Sequence, residues 1–347
     1  MRVPDLGSPT QDARSLRNRS TPRALILIYH RVAELPLDPQ LLCVTPQHFA
    51  EHLELLRKHY QPMPLQQLVQ ALKNGNVPDR AVVITFDDGY ADSLWNARPL
   101  LERYDIRATA FAIAGHVGEQ REFWWDELER LLLQPGLLPK VLCLDMSGSH
   151  EWDLGEAAHY SEQVYERHRQ WNVEGEQHPT HRQRLYRSLC ELLRPMPDEE
   201  RRKLLNELLA WAGAEPTARP THRALSPEEV IRLAEGGLVE VGAHTMTHPV
   251  LSVLPAAAQR DEIQRSKVRL EEILRVPVTS FSYPYGTPSD YTPETVSLVR
   301  EVGFACACAN FADIVRPSTD RFQLPRVLVR NWDGDELGRR LEGWFCD

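Results

Sequence analysis

The apolar positions of the chain fall into short continuous runs separated by stretches with helical spacing. Ala24-Leu25-Ile26-Leu27-Ile28 is the first run, and Ala81-Val82-Val83-Ile84-Thr85-Phe86 and Ala108-Thr109-Ala110-Phe111-Ala112-Ile113-Ala114 repeat it. Runs of this kind read as strands covered on both faces in a parallel sheet. Between them, Thr45-Pro46 supplies an N-cap and a proline at the first helical position, with Phe49, Leu53 and Leu56 on one face. Residues 65–73 read as a second helix stopped by Asn74-Gly75, and 92–104 as a third from the spacing of Leu94, Ala97 and Leu101. The alternation resumes at the capping box Ser226-Pro227-Glu228-Glu229. It continues with a strand over 238–243, a helix from about 256 to 274 with Ile263, Leu270 and Ile273 inward, and a strand over 278–282. A helix opened by Thr292-Pro293, a strand over 304–309 and a last strand within 323–329 complete it. Strands alternating with helices imply parallel pairing, in an open sheet or a closed barrel.

Between 119 and 224 the pattern breaks into charges, leucines at helical spacing and five tryptophans, Trp124, Trp125, Trp152, Trp171 and Trp211. Helices are predicted over 123–132, 185–193 and 198–211, the last closing at Gly213. The expected organisation is therefore a flexible arm over 1–22, one α/β unit made of 23–118 and 225–347, and an inserted, mainly helical subdomain over 119–224. Most of its aromatic residues are expected to pack the insert's own core. Trp124 and Trp125 are adjacent on a helix and cannot share a face, which sets one of them at the edge of a cleft.

Composition narrows the class. The 347 residues are 42% hydrophobic and 26% charged, and no apolar run approaches the roughly 20 residues that span a bilayer, so a soluble protein without a transmembrane segment is expected. A net charge of -9 argues against a nucleic-acid backbone as a general partner. The first residues contain no apolar stretch of a secretory signal, and six scattered cysteines suit free thiols in a reducing compartment; together these predict a cytoplasmic protein. Cys306-Ala307-Cys308 fits a strand of small packed residues better than a metal site.

The chemistry gathers where strands end. His30 follows the first run and Asp87-Asp88-Gly89 the second, His244-Thr245-Met246-Thr247-His248 follows 238–243, and Tyr283-Pro284-Tyr285-Gly286 follows 278–282. Asp-Asp-Gly alone is ordinary turn chemistry, but adjacent carboxylates repel unless a proton or a cation neutralises them. The C-terminal edge of a parallel sheet or barrel is where ligands bind. A His-x-x-x-His pair joined to a carboxylate on that edge forms a two-His, one-carboxylate metal site with an open position.

Thr85-Phe86-Asp87-Asp88-Gly89, His244-Thr245-Met246-Thr247-His248 and Pro284-Tyr285-Gly286 resemble, in order, the first three motifs of the polysaccharide deacetylases, the NodB-homology carbohydrate esterases. The likeness covers about 23–118 and 225–330. It implies a distorted (β/α) barrel of the NodB type and removal of N-acetyl groups from an N-acetylated sugar or glycan. It also implies Asp87 as general base, Asp88, His244 and His248 as ligands of Zn²⁺ or another divalent transition metal, and the Tyr285 backbone N–H as a donor to the oxyanion. The chain departs from the family pattern twice: Ser282 stands where the third motif usually opens with arginine, and the usual Leu-x-His that supplies the acid is missing near the C-terminus. His30, in a Tyr29-His30-Arg31 start like that of one branch of the family, is a candidate proton donor or substrate contact, or else caps its strand. Arg326 is the candidate replacement for the missing arginine. Two other readings remain open: hydrolysis of another linear amide such as N-formyl, and glycan binding without turnover.

Overall fold

In the computed structural model, which describes residues 23–145 and 148–346, each long apolar run becomes a strand of one sheet. The arm expected over 1–22 lies outside the described residues. The strands are β1 (Ala24–Tyr29), β2 (Gln61–Pro62), β3 (Ala81–Phe86), β4 (Ala108–Ala112), β5 (Val239–Ala243), β6 (Ser280–Ser282), β7 (Cys306–Cys308) and β8 (Val327–Leu328). Their order is β7-β6-β5-β4-β3-β1-β8, with β2 added against the start of β3, and every pair is parallel. Between β7 and β8 a single parallel bridge, Cys308 to Leu324, crosses the gap among the described residues. The sheet is thus an incomplete (β/α) barrel.

Register decides where the chemistry lands. Ala24 stands opposite Ala81 and Tyr29 opposite Phe86, so β1 and β3 end level, and the Asp87 N–H donates to the Tyr29 carbonyl at 3.0 Å. Ala112 stands opposite Ala243, and the His244 N–H donates to the Ala112 carbonyl at 3.0 Å. His30, Asp87 and His244 therefore leave the sheet at one rim.

The helices are α1 (Pro46–His59), α2 (Leu65–Lys73), α3 (Arg98–Tyr104), α4 (Trp124–Leu132), α5 (Glu162–His168), α6 (His181–Leu193), α7 (Asp198–Ala212), α8 (Pro227–Ala234), α9 (Ala256–Leu274), α10 (Pro293–Val302) and α11 (Gly334–Cys346). Alternate residues of each strand serve two cores. Leu25, Leu27, Val82 and Ile84 pack with Phe49, Leu53 and Leu56 of α1, while Ala24, Ile26, Ala81 and Val83 join Leu65, Leu68 and Leu72 of α2. Cys306 and Cys308 lie in that second core as small buried hydrophobes. The caps at Ser226 and Thr292 form as capping boxes. The helix expected over 92–104 instead begins as a π-helical turn, Ser93–Ala97, before α3. Pro99 has no N–H to return to the Trp95 carbonyl, so the α-helical ladder cannot run through.

Residues 119–224 carry α4 to α7 and a core that includes Leu128, Leu142, Leu144, Leu185, Leu189 and Leu208 together with Leu37, Tyr90 and Ile113 from outside the segment. An antiparallel hairpin, Val141–Asp145 with Ser149–Asp153, accompanies the helices. Its first strand buries Leu142 and Leu144 and exposes Val141, Cys143 and Asp145, a two-residue period hidden among helical signals. Arg182, at the start of α6, is fully buried and donates to the carbonyls of Leu132, Gln134, Gly136, Ala157 and Ala158. No carboxylate pairs with it among the described residues, and burial pushes its pKa down to about 10, still charged at neutral pH.

Candidate metal centre and its cavity

The residues that turn into the rim do so in an uncommon backbone conformation. Asp88, Thr245, His248 and Tyr285 have φ of 73°, 64°, 58° and 58°, the left-handed region that costs a non-glycine residue free energy and persists only where the surroundings enforce it. The enforcement is visible. The Asp88 carbonyl accepts from the Ile113 N–H at 3.2 Å, and the His248 N–H donates to Thr245 Oγ1 at 3.0 Å. Glu262 of α9 accepts from the Met246 and Thr247 amides at 2.8 and 2.9 Å and from Thr247 Oγ1 at 2.8 Å. Gly89, at φ 83°, completes the turn after Asp88, where a Cβ would stand 3.0 Å from that of Ala112.

This geometry brings one oxygen of Asp88 and one ring nitrogen each of His244 and His248 within 4.8 Å of one another, all buried. The Nε2 atoms of His244 and His248 lie 3.7 and 3.5 Å from Asp88 Oδ1. His244 Nδ1 faces the Ser282 carbonyl at 2.8 Å, so Nδ1 holds the hydrogen and Nε2 turns its lone pair toward Asp88. Burial, then the neighbouring Asp87, pushes the Asp88 pKa far up, and burial pushes both imidazoles down. Three potential ligand atoms thus crowd together in the interior, and His248 Nδ1 has no partner among the described residues; a divalent cation would take all three as ligands. The residues fit a metal ion.

Asp87 is set up differently. Arg326 donates Nη1 and Nη2 to its two oxygens, each at 2.7 Å, and Ser282 Oγ donates to Oδ2 at 3.1 Å. Burial raises the Asp87 pKa, but Arg326 and then His244 outweigh it and hold it at about 2. Arg326 therefore occupies the place beside Asp87 that the arginine absent from position 282 leaves open. Both Asp87 oxygens are engaged by the guanidinium, whereas Asp88 is left to the histidines.

Asp87, Asp88, His244, His248, Tyr285 and His30 all line one cavity of about 470 Å³. The Tyr285 ring lies 4.6 Å from that of His248, and its backbone N–H donates to no protein group among the described residues. His30 is half-buried, and burial first, opposed by Asp87, pushes its pKa down to about 4. Trp124 and Trp125 both reach the cavity, where one was expected. The Trp125 ring sits 5.2 Å from His248 and is tied by Nε1 to Tyr90 Oη at 2.7 Å, which donates in turn to Asp126 at 2.7 Å. Gln40, Arg187, Glu191, Arg194 and Arg330 also line the cavity and were not singled out from the sequence. A polar stripe along α6 was the available signal. Replacing His248 with alanine is expected to weaken metal binding by more than the roughly 10–100-fold typical of losing an outer hydrogen-bond partner, read as metal content of the purified protein after dialysis.

An incomplete parallel barrel with two carboxylates and two histidines at one rim defines an α/β protein with a metal-ligand site. The family model for polysaccharide deacetylase matches residues 74–136 and 208–307, a little under half of the chain, and this chain is similar to that family there. The poly-beta-1,6-N-acetyl-D-glucosamine N-deacetylase of Staphylococcus aureus is 33% identical over 110 residues, 28% of this chain and 38% of that one. The match thus spans well under half of that relative. Among solved structures, IcaB from Ammonifex degensii superposes with a TM-score of 0.58 at 19% identity, covering 94% of this chain and 98% of that chain. The Streptococcus pyogenes deacetylase PplD in complex with acetate does so with 0.57 at 16%, covering 93% and 99%. The likeness to both is one of fold.

Proposed function

We propose that this chain is a metal-dependent N-deacetylase acting on an N-acetylated sugar or glycan, with Zn²⁺ or another divalent transition ion held by Asp88, His244 and His248. The observation that carries this reading is the convergence of those three buried acceptors beside an arginine-pinned carboxylate, in a cavity large enough for a sugar. The substrate named for the Staphylococcus aureus relative favours the same class. A divalent ion held there would supply Lewis acidity and make water a stronger acid near neutral pH.

The chain's own groups do the rest. Asp87, kept ionised and fixed in direction by Arg326, accepts the proton of the attacking water. The Tyr285 N–H is the free donor available to the acyl oxygen as it gains charge. His30, with its pKa near 4, is neutral at ordinary pH, which suits it to a hydrogen bond with the substrate rather than to storing a proton. Asp87, once protonated, is then the group placed to return that proton to the departing nitrogen as the C–N bond breaks. His30→Ala is expected to raise KM about tenfold with metal content unchanged, the size of one lost hydrogen bond to a substrate. A fall in kcat of about 100-fold or more with KM unchanged would make His30 the acid instead.

Acetate and formate release from a panel of N-acetyl and N-formyl hexosamines and their oligomers, before and after chelation, tests the function. Tight sugar binding with no acyl group released would favour a glycan-binding protein. The division into a barrel over 23–118 and 225–347 and an insert over 119–224 that supplies one wall of the cavity belongs to the same proposal. A cytoplasmic site of action is proposed on the cysteine content alone, and cell fractionation tests it.

A further inference from the structure

The wall that α6 contributes to the cavity is cationic. Arg187, Cys190, Glu191 and Arg194 follow one another at i, i+3, i+4 and i+7, so a single stripe runs from the middle of the helix to its C-cap along the cavity. Arg194 is already engaged, paired with the buried Asp290 at 2.7 Å and lying 4.4 Å over the Tyr285 ring. Arg330, just beyond β8, pairs with Glu174 and donates to the Leu41 carbonyl at 2.6 Å. Arg187 differs from both. Its Nη2 donates to the carbonyls of Val173 and Gly175 at 2.8 and 2.5 Å, and its guanidinium lies 5.8 Å from the Trp171 ring. Its Nε is buried without a partner, as is that of Arg194, but unlike Arg194 and Arg330 it has no carboxylate paired with it among the described residues. A guanidinium held by backbone carbonyls and not paired with a carboxylate is organised in advance for an anion that arrives from outside.

We propose that the cavity takes an N-acylated sugar that also carries a phosphate, and that Arg187 binds the phosphate while Arg194 and Arg330 add to the local positive field. This rests on the deacetylase reading. Arg187 stands seven residues, about 10 Å, along α6 from Arg194, which overlies Tyr285, so the phosphate sits at the end of the cavity away from the metal ligands. Glu191, exposed on the same stripe, is the opposing charge there, and it disfavours a second anion beside the first.

The test compares acetate release by the full chain loaded with Zn²⁺ from N-acetylglucosamine 1-phosphate, from UDP-N-acetylglucosamine and from the neutral methyl glycoside. A preference of about tenfold or more in kcat/KM for the phosphorylated probes is expected, carried by KM and shrinking as salt is added. The ratio between the two charged probes tells a sugar monophosphate from a diphosphate-linked donor. Arg187→Met is expected to lower kcat/KM on the charged probes about tenfold more than on the neutral one, and Arg187→Lys to restore part of the difference. Equal kcat/KM on charged and neutral probes, or an Arg187→Met loss of the same size on both, overturns the proposal. If no probe is deacetylated, calorimetric binding decides. Binding of the phosphorylated sugars about tenfold tighter than of the neutral one upholds the anion subsite while the deacetylase reading falls alone, and equal binding overturns the subsite as well.

Discussion

Replacing Arg326 with methionine is expected to destabilise the protein by about 3–5 kcal/mol and to remove measurable turnover. The guanidinium is fully buried and spends its donors on both oxygens of Asp87, on the Ala309 carbonyl at 2.7 Å and on Ser282 Oγ at 2.8 Å. Without it, Asp87 is an unpaired carboxylate in the interior beside a second one, the situation in which a broken buried pair costs most. Urea unfolding at neutral pH measures the loss, and Arg326→Lys is expected to recover only part of it, since an ammonium cannot meet two oxygens in one plane. The pH dependence has a definite sign. Because the Asp87 pKa is held at about 2, below the usual carboxylate value near 3.9, the pair's stabilisation is present above about pH 4 and fades as pH falls toward 2. The gap in stability between wild type and Arg326→Met is therefore expected to narrow below pH 4. A gap that stays constant down to pH 2 would mean the arginine acts through its other hydrogen bonds.

Asp87→Asn is expected to lower kcat by about 10²–10⁴ while metal content is retained. Distance alone does not separate the two aspartates, since His244 Nε2 lies 3.8 Å from Asp87 Oδ2 and 3.7 Å from Asp88 Oδ1. Their partners separate them. Asp87 is turned toward Arg326 with both oxygens, and His248 pairs with Asp88. Asparagine presents an NH₂ to Arg326 where an acceptor is needed, so some stability is lost too, and the rate is to be read on protein shown to be folded. Metal lost in parallel with activity would exchange the roles of the two residues.

The rim was legible because each contributing residue follows a run that could only be a buried strand, and parallel pairing then brings those ends together whatever their distance in sequence. Asp87, Asp88, His244, His248 and Tyr285 needed nothing else. Helix ends with a capping residue, Thr45, Ser226 and Thr292, were readable for a similarly local reason. Other features depend on contacts that no local pattern encodes. The ladder of Glu262 across the His244–His248 turn joins segments that nothing in either one announces. The cavity stripe on α6 resembles any solvated helix face until the barrel is placed against it. The hairpin at 141–153 was masked by the leucines around it, and β6, β7 and β8 are shorter than their apolar runs, whose ends keep only single backbone bonds such as Ala305 N–H to the Thr279 carbonyl and Val329 N–H to the Ile28 carbonyl.

The burial of Arg182 has a practical corollary. A positive charge sunk among backbone oxygens, with no acid among the described residues to share it, fastens the root of α6 to the loops beside it, while the residues that line the cavity stand one to three turns further along. Anchor and reading surface are separate parts of one rod. Anyone wishing to retune the pocket can change the positions of the outer turns that face the cavity, Arg187, Cys190 and Glu191, provided Leu189 and Leu193 stay in the core and the rivet at the base is left in place.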